Sequence, residues 1–146
     1  MFDRLIEALG TISTKDDAVQ VNRAETQLAV AILLYAVIPA DRVVLQEEVQ
    51  AFRSGLLHIF DISDDNCRKL MSQASKQYHQ EPTLLAPATL LKHRLSPSFR
   101  NLVFTAARSI AMSDGNMHEN EADVLRRIEM LLAISIAPNA QIKISA

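Results

Sequence analysis

Leu28-Ala29-Val30-Ala31-Ile32-Leu33-Leu34-Tyr35 is apolar at every position. It forms the second half of a stretch that reads as one helix over about 17–38, stopped by Pro39. A helix that is apolar around its whole circumference has to be surrounded by other helices. The apolar run, Leu28 to Ile38, falls far short of the ~20 residues a helix needs to cross a bilayer, so it reads as a buried core helix.

The sequence on either side supplies the surrounding helices. Phe2, Leu5, Ile6 and Leu9 mark one stripe of a short helix ended by Gly10, and a polar connection follows. Beyond Pro39, a helix over about 46–60 places Val49, Phe52, Leu56, Ile59 and Phe60 on one face. Ser63 is an N-cap for the next helix, with Asp64 and Asp65 in its first turn. Cys67, Leu70, Met71, Ala74 and Tyr78 form the buried stripe of that helix. Pro82 and Pro87 interrupt the following stretch and leave one short helix around 88–94. Ser96-Pro97 is an N-cap followed by proline at the first helical position, opening a helix to about residue 112. A last long helix over about 119–134 buries Val124, Leu125, Ile128, Leu131 and Leu132. Only Gln141-Ile142-Lys143-Ile144 alternates, and it is too short to be read as a strand. The expectation is an all-α, single-domain bundle of about seven helices spanning residues 1–146.

Composition narrows the function classes. The chain has 146 residues, 49% apolar and 22% charged, which is ordinary globular usage and excludes intrinsic disorder. A net charge of −2 argues against nucleic acid as a partner. Trp is absent and aromatics are 5%, which weakens any case for stacking bases or sugars. The single cysteine, Cys67, excludes an intramolecular disulfide and fits a reducing compartment. The N-terminus, Met1-Phe2-Asp3-Arg4, lacks the basic segment and long apolar run of a secretory signal, so a cytoplasmic location is expected. Peripheral contact with a membrane surface and a homodimer are left open.

The pattern contains an internal repeat. Ala36-Val37-Ile38-Pro39-Ala40-Asp41-Arg42-Val43-Val44-Leu45-Gln46-Glu47-Glu48 and Ser109-Ile110-Ala111-Met112-Ser113-Asp114-Gly115-Asn116-Met117-His118-Glu119-Asn120-Glu121 align without gaps. Each copy is an apolar helix, a tight turn opened by Asp, and an amphipathic helix with Glu in its first turn. Two similar helical hairpins packed about a pseudo-twofold are the simplest architecture for such a repeat.

Asp114 and Glu121, with Asp41 and Glu48 in the first copy, are the residues through which this chain could do chemistry. Each Asp stands where a helix ends, beside free backbone carbonyls. Each Glu stands in the first turn of the next helix. Two carboxylates plus carbonyls make an oxygen-rich corner suited to a hard divalent cation such as Ca²⁺ or Mg²⁺. The structural alternative is equally concrete: Gly115 supplies a positive φ, Asp114 accepts backbone N–H groups of its loop, and Glu121 folds back to cap its own helix. Arg42 beside Asp41 makes the first copy the weaker cation site. An EF-hand is absent, because the full loop pattern with glycine at its sixth position is missing.

Other candidates are weaker. His58, His79, His93 and His118 show no paired ligand spacing and have no second cysteine, which disfavours zinc. His118 reads as a helix cap or a solvent-facing side chain, and Cys67 as an inert core thiol. Lys92-His93-Arg94 and Arg126-Arg127 are small basic clusters on solvated faces. No phosphate loop, nucleophile elbow or dinucleotide fingerprint is present, so no enzyme activity is expected. A hydrolase built on paired carboxylates lacks an accompanying nucleophile or phosphate cradle.

The segment Ala111-Met112-Ser113-Asp114-Gly115-Asn116-Met117, followed by Glu121, resembles the TerB-like family named for tellurite-resistance proteins. The shared pattern is an apolar helix ending in Ala-x-x-Asp-Gly, an apolar residue two after the glycine, and Glu four further on. The first copy matches at Asp41, Val44 and Glu48, but has Pro39 before the turn and Arg42 where the glycine is expected. The resemblance covers about residues 25–135. It implies an all-helical bacterial module tied to tellurite resistance and other chemical stress, with metal binding through acidic residues and no enzyme activity. The resulting expectation is a module whose outward-facing Asp–Glu turns bind a divalent cation or a partner protein. The alternative is a metal-free interaction scaffold whose acids are caps and whose function lies in an apolar groove between helices.

Overall fold

In the computed structural model the apolar helix lies at the centre of an all-helical fold. The structure describes residues 15–38, 46–113, 115 and 117–134, with side chains from residue 23 onward. Among these are six helices and no strand: α1 (Lys15–Ala36), α2 (Gln46–Ile59), α3 (Asp64–Gln80), α4 (Leu85–Arg94), α5 (Pro97–Ala111) and α6 (Glu119–Leu131). The short helix expected at Phe2–Leu9 and the alternating tail lie outside the described residues, as do Asp41 and Asp114.

The central segment of α1 is buried on all sides, with Ala29, Val30, Ala31, Leu33 and Leu34 each 0% exposed. Helices α3 and α4 make its broadest contacts, and α2 and α5 close the remainder. The two copies of the repeat fall on the consecutive helices α1–α2 and α5–α6, with α2 packed against α5. Their surroundings differ: α1 is enclosed by α3 and α4, whereas α6 rests on α5 and α4. Gly55 lies at the contact of α2 with α5: a Cβ added there would meet Ala106 Cβ at 3.4 Å and Leu34 Cδ1 at 3.6 Å, ordinary van der Waals distances.

Helix ends follow their capping residues. Ser63 Oγ accepts the Asn66 N–H at 3.1 Å, and Ser96 Oγ accepts the Phe99 N–H at 3.2 Å with Pro97 at the first helical position. Three boundaries differ from the pattern reading. Helix α4 starts at Leu85, because Pro87 falls within the first turn, where an N–H has no intrahelical partner to lose. Helix α1 gives way after Ala36 to a tighter turn, in which the Val37 and Ile38 N–H groups bond the Leu34 and Tyr35 carbonyls before Pro39. Helix α6 ends at Leu131 in a Schellman motif: Ala133 has φ 56°, and Ile134 N–H reaches the Glu129 carbonyl at 3.1 Å.

Side-chain links tie the helices together. Arg94 at the end of α4 meets Glu25 of α1 at 2.7 Å, and Glu25 is 1% exposed. Arg53 of α2 pairs with Asp64 at the start of α3. Arg100 of α5 donates through Nη1 to the Lys92 and Leu95 carbonyls, at 3.2 and 2.9 Å, closing the α4–α5 corner. No described helix is long and apolar enough to cross a membrane.

Candidate functional site

Glu121 is the third residue of α6 and begins the stripe continued by Leu125, Ile128 and Leu132, all buried. That register turns its side chain toward the core, and Glu121 is 1% exposed. Its Oε1 accepts the His118 backbone N–H at 2.9 Å, one arm of a capping box in which His118 is the N-cap. Gly115 adopts φ +89° in open space, as the Asp-Gly turn requires.

Glu48 repeats this placement. It is the third residue of α2, begins the stripe Glu48–Phe52–Leu56, and is also 1% exposed. The outward-facing acids expected from the sequence are therefore corrected for Glu48 and Glu121, which turn inward. The physical cause is position. A glutamate on the core-facing row of a first turn lays its methylenes on apolar neighbours, and its carboxylate is favoured by the helix N-terminus.

The expected partners Asp41 and Asp114 lie outside the described residues, so neither Asp–Glu pair has a measured geometry here. Among the described residues no three His, Cys, Asp or Glu side chains group as metal ligands. What the described residues offer at each turn is one buried carboxylate, and at α6 that carboxylate already accepts a backbone N–H.

Two surface depressions flank α5. One, of about 560 Å³, runs between α2 and α5 over Ala51, Gly55, His58, Leu102 and Ala106. The other, of about 350 Å³, lies between α5 and α6 over Phe104, Arg108, Met117, Leu125 and Arg126. Met112, Met117 and Met130 are exposed on the same hairpin. Elsewhere, Tyr35 OH and His79 Nε2 share a hydrogen bond of 2.9 Å beside Tyr78 and Phe52, an aromatic corner joining α1, α2 and α3. Cys67 is buried, with Sγ 3.9 Å from Met71 Sδ, and burial pushes its thiol pKa above 9.0. It is a packing group.

The model of the tellurite resistance protein TerB family matches residues 27–144. The chain belongs to this family. Comparisons with curated proteins and with solved structures found no match. The TerB match begins within α1 and takes in α2 through α6, so the second half of α1, the α5–α6 pair and both buried glutamates lie inside it.

Two features of this TerB chain were not singled out from sequence. Glu25 could have been found, since it stands one turn before Ala29 on a row continued by Leu33 and Val37, all buried. Its pairing with Arg94 joins distant segments and has no local signature. The α5–α6 depression also depends on how two helices meet, although the spacing of Phe104 and Arg108 places an apolar and a basic residue on one row of α5.

Proposed function

We propose that this TerB chain is a non-enzymatic module of bacterial tellurite and chemical-stress resistance that works by binding partner proteins through the grooves beside α5. One observation carries the reading: Glu48 and Glu121 are both 1% exposed at the head of core-facing rows, and Glu121 caps its own helix. Carboxylates used in that way stabilise their helices and are removed from the surface. Among the described residues the surface carries the two depressions and exposed methionines, and Met is enriched where proteins dock. A cytoplasmic location accompanies this reading, since the buried Cys67 thiol suits a reducing compartment.

A second reading keeps a divalent cation, Ca²⁺ or Mg²⁺, at Asp114 and Glu121, with Asp41 and Glu48 as a weaker copy. It is favoured by the matched placement of Glu48 and Glu121, each third in its helix beside an aspartate-bearing turn. Isothermal calorimetry with Ca²⁺, Mg²⁺, Mn²⁺ and Zn²⁺ separates the two. The partner-binding reading expects no heat with any ion while circular dichroism shows an intact fold. Sub-millimolar binding that disappears in Asp114→Ala with Glu121→Ala overturns it and installs the cation.

A further inference from the structure

The depression between α5 and α6 has a chemistry that the neutral α2–α5 groove lacks. Its walls are two helical rows of the same design. On α5, Phe104 and Arg108 stand four residues apart; on α6, Ala122 and Arg126 do the same. Each wall thus carries an arginine one turn beyond an apolar residue, and Glu129 lines the α6 side as well. Met117 and Leu125 line the space between them.

We propose that this depression docks an acidic amphipathic helix of a partner protein. The inference rests on the partner-binding reading and names the surface and the partner's chemistry. A large apolar side chain of the partner enters the space over Phe104, Met117 and Leu125. Carboxylates about one turn to either side meet Arg108 and Arg126. Arg108 forms no ion pair among the described residues, so its charge is available. Arg126 pairs with Asp123, but both side chains are more than half exposed, and an ion pair so placed holds little energy against exchange. Glu129 also lines the depression, which leaves room for carboxylates at the two arginines and disfavours one at the α6 end beyond them. The Met117 thioether on its flexible stem adapts to the partner's apolar side chain, and arginine forks suit carboxylates. The α2–α5 groove is lined by Ala, Ser, Gly, His, Leu and Thr side chains, none of them Arg, Lys, Asp or Glu, so it has no means of selecting an acidic partner.

The test uses the full chain and two synthetic helical peptides with the same leucine face. One is flanked by Glu, the other by Lys. Fluorescence anisotropy measures affinity, and ¹H–¹⁵N NMR locates the site. The Glu-flanked peptide is expected to bind, to move the amides of Arg108, Met117 and Arg126, and to weaken as salt rises. The Lys-flanked peptide is expected not to bind. Arg108→Glu should weaken the Glu-flanked peptide at least about tenfold without changing the fold, because it sets like charges face to face. Arg126→Glu gives a second, independent variant. Equal binding of both peptides, or indifference to both variants, overturns the inference. Shifts at Ala51, Gly55 and Ala106 instead would overturn this docking site while leaving partner binding intact. A homodimer that dissociates in Arg108→Glu would overturn the acidic partner in favour of a second copy. Partner binding itself is judged separately, by the cation calorimetry above.

Discussion

Replacing Glu121 by alanine tests the part of the structure on which the functional reading depends. In the native chain its Oε1 accepts the His118 N–H at 2.9 Å, and the side chain is 1% exposed above Leu125 and Ile128. A hydrogen bond to an ionised group is worth about 1.5–3 kcal/mol, and alanine's better helix propensity returns a few tenths. The net loss should be about 1–3 kcal/mol, which at this chain length lowers Tm by roughly 3–10 °C. Glu121→Gln keeps an acceptor for the same N–H and should lose less than about 1 kcal/mol. Urea and thermal denaturation followed by circular dichroism measure both. If Glu121→Ala unfolds at the wild-type midpoint, the carboxylate is not a cap and the reasoning is refuted. Equal loss in the alanine and glutamine variants would also refute it, because the charge rather than the acceptor would then matter.

Three further outcomes follow from other sites. Ala133 sits at φ 56°, where an L-residue is strained, so Ala133→Gly should raise stability by about 0.5–1 kcal/mol in the same denaturation assay. Arg94→Ala leaves the buried Glu25 without its ion-pair partner at 2.7 Å and should cost about 3 kcal/mol, far more than truncation of the exposed Arg68. Burial raises the Cys67 pKa above 9.0, so the folded state holds that proton to higher pH than the unfolded chain. Stability from this group is present below the ordinary thiol pKa and is lost as the pH rises through the raised folded value. Cys67→Ala should flatten that alkaline decline, and iodoacetamide should modify Cys67 only slowly until urea unfolds the chain.

The fold was legible where local signals and long-range packing agree. Ser63, Ser96-Pro97 and Gly115 marked helix ends by chemistry that acts within a few residues, and the apolar circumference of residues 28–35 announced a central helix. Pro87 misled the pattern reading, because proline breaks a helix interior but is tolerated in a first turn. The acidic site was legible only in part. The repeat picked out Glu48 and Glu121, yet charged residues default to the surface in any sequence reading. The four-residue spacing to Phe52 and to Leu125 already carried the opposite message, that both glutamates head a buried row. Glu25–Arg94 and the Met–Arg depression arise where separate helices meet, and no spacing along the chain encodes such meetings.

The central claim is that both repeat glutamates turn inward, Glu121 as the cap of its own helix, and that neither serves as a ligand. Side-chain carboxyl ¹³C resonances of Glu48 and Glu121, recorded with His118 amide exchange during a Ca²⁺ or Mg²⁺ titration, test it most directly. The account predicts resonances that do not move and a His118 amide that stays protected, losing that protection only in Glu121→Ala. A saturable shift of either carboxyl resonance, with His118 released as the cation binds, would contradict it.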